Sequence, residues 1–298
     1  MTGIVEGTTE AGVAGAVSAA NVYGDGATFP EVDTAPPATA GTERPFTLAF
    51  DIGGTGLKAS VLDARGGMVT DRVKVPTTYP MPPTGHTGLV PGLVRLVATL
   101  PEADRISAGF PGMLRNGVVL SAPHFVTTHG PGSEVDPELE RAWRGFRLAD
   151  ALSDALGKPS RVGNDADVQG LAVVTGMGLE LVVTLGTGMG TAVFLNGQLL
   201  PHLEIGHQPF RKGDSYDEQI GERARKAVGD ERWNRRVGKA IVNLEALFFY
   251  DDLYIGGGNA RRLSRDGLGD LLDKITIVDN TAGILGGVKL WAGQHLGV

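Results

Sequence analysis

The chain has 298 residues, a net charge of −7 and no cysteine. That length leaves room for two domains, and 42% hydrophobic with 20% charged residues is ordinary for a globular protein. Disulfides and thiolate–metal sites are excluded, the acidic balance gives no support to nucleic-acid binding, and no run of 18 apolar residues marks a membrane span.

Residues 1–44 hold six acids and a single base, Arg44, and so carry −5 of the total charge. They are rich in Ala, Gly, Thr and Pro and poor in large apolar residues. Such a segment buries too little surface to offset its ordering entropy, so a disordered tail is expected, with a packed arm as the alternative. The absence of a basic stretch before Arg44 argues against a signal peptide, and a cytoplasmic setting is the simplest expectation.

Strands are expected over 46–51, 57–63 and 68–75, and the first two flank Asp51-Ile52-Gly53-Gly54-Thr55-Gly56. Leucines and valines at helical spacing predict a helix over 88–100, followed by strands over 106–110 and 117–120. Residues 121–137 lack periodicity and read as a loop, and a helix is expected over 137–156. A short strand at 161–162 leads into Gly163-Asn164-Asp165-Ala166-Asp167 and a helix over 168–174. A buried-type strand over 181–185 runs into Gly186-Thr187-Gly188-Met189-Gly190, then a pair over 191–195 and 198–200 joined by Asn196-Gly197. Strand, glycine turn with threonine, strand thus occurs twice, which suggests two related domains facing across a cleft. An amphipathic helix over 230–250 places Trp233, Val237, Ala240, Ile241, Leu244, Leu247 and Phe248 on one face, with Asp230 as its N-cap. A strand over 252–255 then meets Gly256-Gly257-Gly258-Asn259, and a strand over 275–278 precedes a last helix over 281–296.

Three glycine turns therefore sit at the ends of apolar strands, where backbone N–H groups can approach a phosphate chain. Lys58 adds a cation near the first turn, and Asp51 a carboxylate able to face a metal ion. No Walker pattern and no dinucleotide fingerprint occurs, and a single such turn is equally an ordinary hairpin. Asp165, between a strand and a helix, is placed to take a proton from a substrate hydroxyl during phosphoryl transfer; the same tripeptide is also a plain helix cap, a role Asp167 can fill instead. Glu204 and His207 can accept from and donate to sugar hydroxyls, or form a surface turn. His202 and His124 read as structural or rim residues.

DIGGTGLK, GFPGMLRNGVVLSAP, GNDAD, LGTGMGTAVFLNG, EIGH and IGGGNA occur in the order found in ROK-family sugar kinases. The chain resembles that family over about residues 46–292, and within it the compact polyphosphate glucokinases and glucomannokinases. The resemblance implies an α/β, two-domain actin-like ATPase (ribonuclease H-like) fold of the actin/Hsp70/hexokinase superfamily, with an interdomain cleft. Asp165 would be the catalytic base for the sugar 6-hydroxyl, with Asn164, Glu204, His207 and Glu218 holding other hydroxyls. Asp51 would help place Mg²⁺ through water. Gly53, Gly54, Thr55, Lys58, Gly186, Thr187 and Gly188 would hold the phosphate chain, and Gly257 and Gly258 would lie near the nucleotide's sugar and base.

Many relatives carry a cysteine-rich zinc loop after E-x-G-H; residues 208–218 hold no cysteine, so no structural zinc is expected, which leans towards a polyphosphate donor. Where relatives often have Ala-Pro-Asn, this chain has Ala122-Pro123-His124 and then a longer insertion to about residue 137, which puts a sugar contact there in question. The expected domains are 46–165 with the last helix (279–298), and 166–278. The expected reaction is phosphoryl transfer from ATP, polyphosphate or both to glucose. The alternatives are a kinase for mannose, an amino sugar or another hexose, a sugar-binding protein without catalysis, and a sugar-responsive regulator; residues 1–44 lack the basic helix-turn-helix the last would need. A basic groove for a long donor would draw on Lys58, Arg211, Lys212, Arg223 and Arg225. A homodimer, common among relatives, is the expected assembly, with neither nucleic acid nor membrane as partner.

Overall fold

A computed structural model of the chain describes residues 31–32, 43–266, 268–278 and 282–293. Glu31–Val32 (β1) is a short strand. Thr47–Ile52 (β2) and Gly56–Leu62 (β3) form the expected hairpin, and Val73–Pro76 (β4) follows. Leu89–Leu96 (α1) leads to Arg105–Phe110 (β5), and Leu114–Arg115 (β6) pairs with Val118–Val119 (β7). Pro137–Trp143 (α2) and Leu148–Leu156 (α3) precede Ser160–Asn164 (β8) and Asp165–Val173 (α4). The second half begins with Leu179–Leu185 (β9), Met189–Leu195 (β10) and Gln198–Leu199 (β11). Pro209–Arg211 (β12), Asp214–Ser215 (β13), Tyr216–Ile220 (α5), Glu222–Val228 (α6) and Asp230–Phe248 (α7) come next. Asp252–Gly256 (β14), Ile275–Val278 (β15) and Ala282–Lys289 (α8) complete the described elements.

The two halves repeat one topology. In the first sheet the strand order is β4-β3-β2-β5-β8, with β2 antiparallel to β3 and parallel to β5. In the second, β11-β10-β9-β14-β15 follows the same plan, with β9 antiparallel to β10 and parallel to β14. The repeated strand–glycine turn–strand pattern therefore marks the same two positions of two like sheets. Strand β2 is buried on nearly every residue because helices cover both faces of its sheet.

Each sheet has its own outer core. Phe50, Ile52 and Ile106 pack against Leu89, Leu93, Leu148 and Leu152 in the first. Leu181, Val183 and Leu253 pack against Trp233, Val237, Ile241 and Leu244 in the second. Helices α4 and α8 lie between the sheets. Val168 and Leu171 of α4 join Val182 and Phe194 of the second sheet, while Ile284 and Val288 of α8 join Ala49 and Leu62 of the first. The last helix thus returns to the first sheet. Its Gly286 touches α4 so closely that a Cβ there would overlap the Val168 carbonyl oxygen.

Several sequence expectations need correction. The helix over 137–156 is two helices, because Arg144 turns extended and Arg147 pairs with Val118. The strand over 68–75 shrinks to β4, leaving a single bridge between Met68 and Leu62. Asp230 does not cap α7; Gly229 precedes that helix, and the Asp230 carboxylate pairs with Arg225 at 2.6 Å and Arg262 at 3.2 Å. Leu247 faces outward, 65% exposed. The expected 1–44 tail lies almost wholly outside the described residues; its Glu31–Val32 segment pairs in parallel with β15. The last helix ends at Lys289 rather than 296.

Gly286→Ala should lower the unfolding free energy by roughly 1–3 kcal/mol, because overpacking outweighs a gain of about 1 kcal/mol in helix propensity. Urea denaturation measures this, and a neutral or stabilised variant would contradict the close crossing.

Candidate active site

The β2–β3 turn, the β9–β10 turn and the end of β14 meet in one cleft of about 520 Å³. The first turn is tight, with the Gly53 N–H bonded to the Gly56 carbonyl at 3.0 Å. Its carbonyls are tied away from the cleft: the Thr77 hydroxyl donates to Gly53 O and the Tyr79 hydroxyl to Gly54 O, both at 2.6 Å. The second turn closes through Gly186 N–H to Gly188 O at 3.0 Å. The third needs glycine: Gly257 has φ +87°, and a Cβ there would strike the Leu185 backbone.

Strand register explains the charges beside the first turn. Asp51 on β2 lies opposite Lys58 on β3, and the Lys58 ammonium donates to Asp51 Oδ2 at 2.7 Å. Arg72 also lines the cleft; it sits in the irregular stretch before β4 and carried no sequence signal.

Asp165 is the first residue of α4, and Asn164 before it is the N-cap. The Asn164 Oδ1 accepts the Ala166 N–H at 2.8 Å, while its Nδ2 donates to Gly112 O at 3.1 Å. One amide hydrogen remains for a ligand. Asn164, rather than Asp167, therefore supplies the cap. The Asp165 carboxyl is pushed up to about 7, first by burial and then by the Asp51 charge; a bond from the Ala166 N–H opposes this, Glu204 adds to it and His202 opposes it. A carboxyl so poised is suited to proton transfer near neutral pH.

Opposite stand Glu204, His207 and Asp217. Burial alone would raise the Glu204 carboxyl, but His202, His207 and His124 hold it below its ordinary range. Asp217 accepts the Met189 N–H at 2.6 Å and lies 3.7 Å from His207 Nε2. Its carboxyl is raised by burial, against that backbone bond and His207. His124 also lines the cleft. Its Nδ1 is buried without a hydrogen-bond partner, beside Gly54, and burial lowers its pKa. His202 lies behind Glu204, almost fully buried. Neither histidine is at the rim.

The candidate sugar, phosphate and metal residues from the sequence all line this cleft except Glu218, whereas of the expected groove cations only Lys58 does; Arg211, Lys212, Arg223 and Arg225 do not. Glu218 is exposed and spent on a capping box with Ser215, which accepts the Glu218 N–H while the Glu218 carboxylate accepts the Ser215 N–H at 2.8 Å. The acid that reaches the cleft is its neighbour Asp217. The Ser-x-x-Glu spacing at 215–218 was legible as a cap and is the signal that would have separated the two. Arg225, one of the expected groove cations, is held by Glu222 and Asp230 on the protein itself.

The ROK family model matches residues 47–222. Polyphosphate glucokinase of Mycobacterium tuberculosis is 28% identical over 277 residues, covering 87% of this chain and 95% of that protein. The Mycobacterium leprae polyphosphate glucokinase is 30% identical over 275 residues, covering 85% and 77%. Among solved structures, the inorganic polyphosphate/ATP-glucomannokinase from Arthrobacter sp. strain KM superposes with a TM-score of 0.68 at 28% identity, covering 85% of this chain and all of that one. The chain belongs to the ROK family, and its two repeated sheets form the actin-like ATPase fold of ROK sugar kinases. These relatives are sugar kinases, enzymes that transfer a phosphoryl group to a sugar.

Asp217→Ala should weaken sugar binding, measured by calorimetry, by about tenfold or more, as expected for loss of a charged hydrogen bond. Glu218→Ala should lower the melting temperature through loss of the cap and leave sugar affinity unchanged. The reverse pattern would return Glu218 to the site.

Proposed function

We propose that the protein is a hexose kinase that transfers a phosphoryl group from polyphosphate, ATP or both to the 6-hydroxyl of glucose. One observation carries this reading: the raised Asp165 carboxyl opens onto the same cleft as the glycine turns and the Glu204, His207 and Asp217 set. A hexose seated among those side chains would present a hydroxyl to Asp165 and, beyond it, the donor phosphate to the turns. Asp165 takes the hydroxyl proton as the new oxygen–phosphorus bond forms. The shortened donor then leaves with the bonding pair of the broken bond. Backbone N–H groups of the two turns, with Lys58 and Arg72, would hold the phosphate oxygens. The polyphosphate-using relatives favour polyphosphate as one donor.

Mg²⁺ fits this site as a guest of the donor rather than of a protein cage. Among the described residues no cluster of three or more His, Asp or Glu side chains is built for a metal. Mg²⁺ commonly takes one or two carboxylates together with phosphate oxygens and waters. Asp51, a cleft carboxylate near Asp165, would hold it through water, and Lys58 now occupies the Asp51 oxygen that would turn to it. When bound, the ion would neutralise charge on the phosphates.

Two outcomes follow for the wild type. Because the folded Asp165 carboxyl is raised and the base must be ionised, kcat/KM for sugar should fall as pH drops below about 7 and level off above it; a profile flat from pH 5 to 8 would contradict the base. Glucose phosphorylation assayed with Mg²⁺ and either ATP or long-chain polyphosphate should give turnover with at least one donor. Silence with both, and with mannose and amino sugars, would leave only sugar binding.

A further inference from the structure

His202 has no part in the chemistry above, yet it is among the most buried charged groups beside the site. Its side chain is 6% exposed, and that of Asp167 is 3% exposed. The His202 Nδ1 lies 2.9 Å from Asp167 Oδ1, and its Nε2 lies 3.6 Å from Glu204 Oε1. The Nε2 is buried with no hydrogen-bond partner of normal length. Asp167 is on the first turn of α4, two residues after Asp165. Glu204 is just before the short helical turn Ile205–His207. One imidazole therefore spans from the helix that carries the base to the carboxylate that faces the ligand.

We propose that His202 is a positioning residue that fixes the Glu204 carboxylate against the sugar and ties it, through Asp167, to the helix bearing Asp165. This rests on the hexose-kinase reading and adds to it a residue that never touches substrate. The physical case is one of opposed costs. Two neighbouring carboxylates, Asp167 buried and Glu204 partly buried, would repel and be poorly solvated without a cation between them. Burial disfavours charge on His202, but its hydrogen bond with Asp167 and the attraction of both carboxylates win and lift it to about 10. The other titratable groups around Glu204 are His207, His124, Asp165 and Asp217. His202 alone of the three histidines near Glu204 is also bonded to α4.

The test uses the intact chain with His202→Leu and His202→Gln. The leucine variant should raise the KM for sugar about tenfold, the cost of freeing a charged binding group, with the donor KM unchanged. Without the cation the Glu204 carboxyl rises, so sugar binding by calorimetry should weaken as pH falls from 7 to 5 in the variant and stay flat in the wild type. Glutamine, which keeps a donor towards Asp167 but no charge, should recover part of the KM and none of the pH independence. A lowered melting temperature with wild-type KM and pH behaviour would make His202 structural only and overturn the proposal. If neither variant folds, NMR of the six ¹⁵N-labelled histidines in the wild type decides. One ring should stay doubly protonated at pH 8.5 and shift when glucose is added; titration of all six below pH 7.5 would overturn it. Wild-type turnover reports on the kinase reading separately, since the sugar-binding and NMR readouts need no phosphoryl transfer.

Discussion

The crossing of α4 and α8 is the constraint on which the site depends. Both helices lie between the sheets, α4 joining the apolar cluster of the second and α8 that of the first, and they meet where Gly286 lies against the Val168 backbone. A side chain at that point would push the sheets apart. The glycine turns at the strand ends, one from each sheet, would then separate and open the cleft that both sheets line. The Asp165 carboxyl belongs to the same helix, only three residues from Val168. The scaffold contact and the proposed base thus share one element.

Electrostatics in the cleft are divided by position. Beside the first glycine turn the cleft carries cations and backbone N–H groups, with Asp51 paired to Lys58. Across from it stand carboxylates whose charges are managed individually. Burial first and then Asp51 raise the Asp165 carboxyl to about 7, the range the proposed base would need. Three histidines hold the Glu204 carboxyl below its ordinary range, which suits its proposed part as a hydroxyl acceptor. Two carboxyl groups in one cleft, Asp165 and Glu204, therefore differ in readiness to take a proton, and environment rather than residue type sets the difference.

Much of the architecture was legible from local pattern. The apolar strands ending in glycine turns, the repeat of that unit, and the Asn164-Asp165 junction all depend on neighbours in sequence, and all fall where expected. The misses share a physical cause. The break after Arg144 goes with the pairing of Arg147 to Val118, a contact between distant residues. Arg225 looked free, but its carboxylate partners arise from helix packing. His202 and Asp167 are 35 residues apart, and no periodicity announces their bond. The placing of Glu218 in the site differs in kind, since the capping box that occupies Glu218 is a local signal.

The central claim is that Asp165 is the base in a sugar-filled cleft, and Asp165→Asn tests it most directly. Asparagine keeps the shape and loses the proton acceptor, so glucose affinity measured by calorimetry should stay within a few-fold of wild type. The single-turnover rate should meanwhile fall by about 10²–10⁴, the usual contribution of general base catalysis. Near-normal turnover in that variant, at any pH between 6 and 8, would contradict the account.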